Sequence, residues 1–342
     1  MGNQTSGGGS AVGSARVRTI RSLIADIGIE GCSLISINDL TNDQIYRLFD
    51  LARVLEPWNR SRIELLSGNV MCTLFFQPST RTRMSFETAM HRLGGDVVAE
   101  ATPLLSSAAA KEESLPDMLT VISRYANIIV LRHPDDVDAR DAVRRATVPV
   151  INGGFGNWEH PTQALLDLYT LWRVAGRIDG LSVCIASPDL AAARTGHSMA
   201  YGLSRLGARV VLATRQDHRT PPEVMARLRE IGGAVEEVFD LDQASFNGLA
   251  SSVDLVYLPG CSAPKGVEAD DFKRQMAAYF LRHETVERVR QEHGRLLWVT
   301  HTLPRREGEM DTRLDDSPSQ LYFEAIGHSV SIRMALIAAV LA

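Results

Sequence analysis

The chain has 342 residues, 45% hydrophobic and 23% charged, with a formal net charge of -5. That length exceeds a usual single domain and predicts two, each able to bury its own core. The composition excludes a disordered or fibrous chain. The absence of a Lys/Arg block argues against a nucleic-acid partner, and no unbroken apolar run reaches the roughly 18 residues of a membrane span.

Residues 1–33 open with MGNQTSGGGSAVGSA and read as a flexible N-terminal tail leading into the start of the first helix. From about residue 40, strand-like runs alternate with amphipathic stretches, which predicts an α/β fold of two domains, each a parallel sheet flanked by helices. Residues 42–55 and 59–67 read as helices, 69–76 as a buried strand and 79–93 as a helix. The runs 126–131 and 148–152 read as strands, and 161–174 as a helix with Leu165, Leu168 and Trp172 on one face. This first domain spans 34–176. The Gly176 to Gly180 turn marks the boundary. A second domain, 177–320, continues with the strand SVCIAS, a helix from about Thr195, the strand ARVVLAT, a helix opened by Pro221 and Pro222, and strands DLVYL and RLLWVTH. The apolar segment 321–342 reads as a helix that packs back on the first domain. Cys32, Cys72, Cys184 and Cys261 lie far apart with no C-x-x-C pair, which predicts a reducing, cytoplasmic setting and no structural zinc.

Four polar turns sit at strand ends. The first is F-F-Q-P-S-T-R-T-R at 75–83, where a strand gives way to a helix. Free N–H groups and the helix dipole attract an anion there, Ser79, Thr80 and Thr82 add hydroxyls, and Arg81 adds a guanidinium fork. Arg132, in R-H-P, leaves the carboxyl end of the next strand. H-P-T-Q at 160–163 presents an imidazole and an amide at another helix start, and V-T-H-T-L-P-R at 299–305 ends a strand of the second domain. Ligands of open α/β sheets bind at such carboxyl ends, so the four turns are predicted to surround one small phosphorylated molecule between the domains. The βα start at SVCIASPDL lacks G-x-G-x-x-G, which argues against a dinucleotide enzyme.

The order S-T-R-T-R, R-H-P, H-P-T-Q and H-x-L-P-R resembles the aspartate/ornithine carbamoyltransferase family over nearly everything after residue 33. H-P-T-Q-A-L-L-D-L-Y-T is closer to the aspartate branch, and the H-C-L-P of the ornithine branch is absent. The resemblance implies that 34–176 binds carbamoyl phosphate and 177–320 the acceptor. By the same resemblance Ser79, Thr80, Arg81 and Thr82 hold the phosphate, and Arg132, His160 and Thr82 polarise the carbonyl oxygen. Gln163 and the carbonyls of Thr302 and Leu303 orient the carbamoyl NH2. Arg81, Thr82, Arg132 and His160 are the implied catalytic set. The reaction needs no metal or organic cofactor. A neighbouring chain of a homotrimer completes each site through a loop that matches Ser107 and Lys111 here.

Arg194 matches the arginine that grips the acceptor's α-carboxylate. The aspartate branch also carries T-R-x-Q, whose arginine grips the second carboxylate; here the stretch is L-P-G-C-S, with Gly260 and Ser262 in place of the arginine and glutamine. A second carboxylate then lacks its partner, a loss worth several kcal/mol. Phe155 and Trp158 suggest a more aromatic pocket. The expected acceptor is therefore not aspartate but a hydroxyl of a sugar or natural product, or an amine without a second carboxylate. An alcohol needs a base, for which His301, His328, Glu159 and the phosphate itself are candidates. The alternatives are an aspartate enzyme whose missing charge comes from Lys265 or Arg305, and a non-catalytic carbamoyl phosphate binder or scaffold.

Overall fold

The computed structural model describes residues 19–101, 113–261 and 269–342. The first unit comprises helices α1 (19–27) and α2 (Asn42–Leu55), strand β1 (Val70–Phe75), helix α3 (Thr80–Arg92), strand β2 (Asp96–Glu100), helix α4 (Leu115–Ile122), strand β3 (Ile128–His133), helix α5 (Asp136–Val143), strand β4 (Val150–Phe155) and helix α6 (Pro161–Ala175). The second has β5 (Ser182–Ala186), α7 (Arg194–Arg205), β6 (Arg209–Thr214), α8 (Pro222–Ile231), β7 (Val235–Phe239), α9 (Gln243–Ser252), β8 (Leu255–Leu258), α10 (Ala269–Ala278), α11 (His283–His293) and β9 (Trp298–His301). Helix α12 (Tyr322–Leu341) ends the chain.

Both sheets are fully parallel, in the orders β2-β1-β3-β4 and β7-β6-β5-β8-β9. Their central strands are buried on both faces, as helices covering both sides require. In each order the winding reverses once, between β1 and β3 and between β5 and β8, and loops diverge there to leave a crevice at the carboxyl ends. The two crevices face each other.

Helix α12 has the length and apolarity to cross a bilayer, but 67% of its apolar window is buried here. Ile332, Leu336 and Ile337 join the core of Ile45, Phe49, Phe86 and Leu165, and Gly31 N–H donates to the Val340 carbonyl. It packs on α2, α3 and α6 of the first unit.

Three expectations change. Residues 19–33 are not tail: Ile20, Ile24 and Ile27 lie along one stripe of α1 and are buried in the core. Residues 59–67 do not form a helix. After the 3-10 turn Glu56–Trp58 the N–H groups of Ile63, Leu65 and Leu66 donate to the carbonyls of Arg92 and Leu93. The segment satisfies the unpaired end of α3 rather than its own backbone. The short strands β2 and β7 and helices α4, α5 and α9 to α11 are additions to the expected elements; α4 buries Leu115, Met118 and Leu119 at helical spacing.

Candidate active site

Strand β1 ends at Phe75, which pairs in register with Arg132 of β3, so the turn into α3 and the Arg132 side chain leave the sheet at one level. Ser79 is the N-cap of α3 but makes no side-chain cap bond, and the first turn contains no acidic residue. The dipole and the hydroxyls are thus not spent within the helix. Thr82 is buried, with Oγ1 3.5 Å from Nε2 of His160.

Arg132 lies where the β3 and β4 register shifts, an irregularity that re-aims a side chain. Its Nη1 donates to the Gly153 carbonyl at 3.1 Å, and its buried Nε has no partner among the described residues. Burial, then the charges of Arg194 and Arg81, push its guanidinium down to about 9. Burial lowers Arg194 to about 10 and also lowers Arg81. Three cations converge where none has a carboxylate partner among the described residues, and a bound anion relieves both burdens.

Gly154 makes this convergence possible. Its φ is +116°, and a Cβ there meets Arg132 Nη1 at 2.8 Å, Arg194 Cζ at 3.3 Å and His160 Cδ2 at 3.4 Å. The pair Gly153-Gly154 inside a strand was the sequence signal for a close backbone approach. It was not used.

His160 begins α6 and is almost fully buried. Its N–H donates to Ser198 Oγ at 3.0 Å, and Thr162 Oγ1 lies 3.3 Å from its Nδ1. Burial, then Arg132, Arg194 and Arg333, hold the imidazole well below its usual range, so it is neutral at pH 7. A hydrogen bond from Thr162 to Nδ1 leaves the proton on Nε2, beside Thr82.

From the second unit, two turns close the cleft. Glu309 joins them: Oε1 accepts from Cys261 N–H at 2.8 Å, and Oε2 from Arg306 N–H at 2.7 Å and His301 Nε2 at 2.8 Å. His301 Nδ1 accepts from Leu303 N–H at 2.8 Å, which requires the proton on Nε2. The Leu303 carbonyl, at the cis Leu303-Pro304 bond, accepts from Arg81 Nη2. Thr302 Oγ1 donates to the Pro259 carbonyl at 2.7 Å.

The result is a cleft of about 1120 Å³ lined by Ser79, Thr80, Arg81, Thr82, Arg132, His160, Gln163, Arg194, Gly260, Thr302 and Leu303, together with Arg306 and Arg333. Eleven sequence-predicted residues therefore meet in one place. Ser107, Lys111, Ser262 and Lys265 lie outside the described residues.

Arg305 does not line the cleft. It pairs with both oxygens of Asp315, with Tyr322 and Phe323 beneath it, while the next residue, Arg306, faces in and donates to the Cys261 carbonyl. The strand end could not reveal which of two adjacent arginines turns inward. The aromatic pocket is also overturned: Phe155 is core, Trp158 packs against Arg140, and no Phe, Tyr or Trp appears among the described lining residues.

None of the three candidate side-chain bases opens on the cleft. His301 is enclosed with Glu309, and His328 sits against Thr170, 3.1 Å from its Oγ1. Glu159 accepts from Ser36 Oγ at 2.5 Å, Ser198 Oγ at 2.9 Å and Ile37 N–H at 3.1 Å. Burial pushes its carboxyl up to about 7, against the opposing effect of those bonds. The lining carboxylates are engaged as well: Asp135 caps α5, Asp136 pairs with Arg140 at 3.0 Å, and Asp189 accepts from Ala192 N–H.

An anion cradle, a cationic wall and a neutral imidazole facing one cleft suit attack on a carbonyl with loss of phosphate. Two family models match: the aspartate/ornithine carbamoyltransferase carbamoyl-P binding domain over 33–173, and the Asp/Orn binding domain over 179–340. The chain belongs to the aspartate/ornithine carbamoyltransferase family. It is a carbamoyltransferase. It is 66% identical to the ureidoglycine carbamoyltransferase of Rubrobacter xylanophilus over 328 residues, covering 96% of this chain and 97% of that one. The aspartate carbamoyltransferase catalytic subunit of Methanopyrus kandleri is 38% identical over 306 residues, covering 89% and 95%. Among solved structures, Trypanosoma cruzi aspartate transcarbamoylase in complex with carbamoyl phosphate superposes with a TM-score of 0.82 at 29% identity, covering 92% and 97%.

Proposed function

We propose that this carbamoyltransferase moves the carbamoyl group of carbamoyl phosphate onto the amine of ureidoglycine, a glycine whose α-carbon also carries a ureido group. The new bond joins the amine nitrogen to the carbamoyl carbon, the C–O bond to phosphate breaks, and the departing phosphate takes the amine proton. The product has two ureido groups and one carboxylate on a single carbon.

The observation that carries this reading is Gly260. It stands where the aspartate branch has its second arginine, with φ +74° and polar neighbours, His301, Thr302 and Glu309, at 3.5 to 3.9 Å from a built Cβ. A neutral ureido group suits that turn; a second carboxylate gains no guanidinium from it. Arg305, tied to Asp315, does not replace the missing charge. Arg306 spends one N–H group on the Cys261 carbonyl beside that turn. The ureidoglycine enzyme at 66% identity supports the same acceptor. An amine also fits the engaged lining carboxylates, because it needs no strong base, whereas a sugar hydroxyl does.

In this reading Ser79, Thr80, Arg81 and Thr82 bind the phosphate. Arg132, Thr82 and the Nε2–H of His160 stabilise the oxyanion, preformed donors acting where charge develops. Gln163 with the Thr302 and Leu303 carbonyls takes the carbamoyl NH2, and Arg194 takes the acceptor's carboxylate. We further propose a homotrimer whose neighbouring chain supplies Ser107 and Lys111, and a cytoplasmic location, which suits four cysteines spread far apart with no C-x-x-C pair.

The test is phosphate release from carbamoyl phosphate with ureidoglycine, aspartate and ornithine as acceptors. The expected result is a kcat/KM for ureidoglycine at least about 100-fold above the others, the scale of leaving one partner of a buried ion pair unmatched. Equal or better turnover of aspartate overturns the acceptor assignment.

A further inference from the structure

We infer that Asp167, which touches no substrate in this reading, is the positioning residue that makes the site select a carbamoyl over an acyl phosphate, because it fixes which end of the Gln163 amide faces the cleft. The inference rests on the proposed role of Gln163.

Gln163 lines the cleft one helical turn before Asp167, and its Nε2 lies 3.0 and 3.2 Å from the two Asp167 oxygens. A carboxylate only accepts. The amide NH2 must therefore turn toward Asp167, and the amide oxygen is the end left for the cleft. An acceptor there pairs with the NH2 of a carbamoyl group and has nothing to take from the CH3 of an acetyl group of the same shape and charge.

Asp167 is itself held from the other unit. Tyr257 OH, fully buried on β8, donates to Asp167 Oδ2 at 2.9 Å, and the charge of buried Arg333 on α12 acts on the same carboxylate. The donor-to-acceptor order thus runs Tyr257 and Gln163 into Asp167, leaving Gln163 Oε1 outward. Reversing the polarity at 167 reverses the amide.

The experiment measures binding of carbamoyl phosphate, acetyl phosphate and inorganic phosphate by calorimetry at pH 8, above the value of about 7 to which burial raises the Asp167 carboxyl. In Asp167→Asn the new NH2 faces Gln163, so the amide turns its own NH2 to the cleft. Affinity for carbamoyl phosphate is expected to fall about 10-fold or more, the cost of two donors facing each other. Acetyl phosphate and phosphate affinity stay within about 2-fold, which also reports a folded cradle. The double variant Asp167→Asn with Gln163→Glu puts a carboxylate where the amide was and returns an acceptor oxygen to the cleft; carbamoyl preference is expected to recover.

A single variant that keeps the wild-type preference overturns the inference. So does a double variant that binds phosphate normally without regaining it, and this arm decides the matter if the single variant does not fold. If the wild type itself fails to prefer carbamoyl phosphate to acetyl phosphate, the role of Gln163 in the proposed function is what fails.

Discussion

Glu309 ties the two acceptor-side turns together, and replacing it by glutamine tests how the acceptor side is held. Its two oxygens serve three donors: Cys261 N–H on Oε1, and Arg306 N–H and His301 Nε2 on Oε2. Glutamine keeps the shape but offers one oxygen. Placing that oxygen at Oε2 leaves an NH2 facing Cys261 N–H, so one buried donor loses its acceptor and two donors oppose each other. Such a loss costs ~1–3 kcal/mol. At ~2–4 °C per kcal/mol for a unit of this size, a ~2 kcal/mol loss lowers Tm by ~4–8 °C. The same three bonds connect the Gly260 turn to the Leu303 turn, so KM values for both substrates rise. Bonds from His301, Arg306 and Cys261 hold the Glu309 carboxyl below its usual range although burial opposes them. A depressed carboxyl contributes stability above its unfolded value near 4.5 and loses it as pH falls through the lower folded value. The gap between wild type and Glu309→Gln therefore narrows in acid. Thermal melts from about pH 3 to 8 with initial-rate assays provide the readout, and a variant that melts with the wild type at pH 7 and keeps both KM values refutes the coupling of the two turns.

Three further outcomes are expected. Arg194→Lys loses the planar fork while keeping charge, so the acceptor KM rises about 10-fold with carbamoyl phosphate KM little changed; initial rates with each substrate varied separate the two. Gly154→Ala brings a Cβ within 2.8 Å of Arg132 Nη1 at a φ of +116°, so Arg132 shifts and kcat falls at least about 10-fold at a cost of ~1–2 kcal/mol in stability; a kcat unchanged from wild type contradicts the close approach. Glu159→Gln removes a carboxyl whose folded value is raised from 4.5 to about 7. A raised value means the wild type holds its full contribution below 4.5 and loses it as pH rises through about 7, by on the order of 3 kcal/mol. The variant's relative stability in denaturant melts should rise over that window, and a pH-independent difference contradicts the assignment.

The local chemistry of the site was legible in the residues alone. A strand followed by Ser79-Thr80-Arg81-Thr82 with no acid in the first turn of the helix states its preference for an anion through backbone geometry that any such sequence adopts. The buried strands, the α3 and α6 helices and the burial of the last helix were equally readable, because period-3.6 and unbroken apolar runs report burial directly. What the sequence could not carry was the destination of groups whose partners are distant in the chain. Residues 59–67 look helical until the open carbonyls of Arg92 and Leu93 take their N–H groups. Arg305 and Arg306 are equivalent cations until Asp315 and Tyr322 claim the first and Cys261 the second. Glu159 reads as a base until Ser36 and Ser198 enclose it, and Asp167 reads as one more helix residue until Tyr257 reaches it from the other sheet. Sequence determined which groups were available and which local backbone they ride on. Only the packing of the two sheets against each other decided which polar atoms were consumed by the fold and which were left facing the cleft, because a buried donor or acceptor must find a partner wherever the chain happens to bring one.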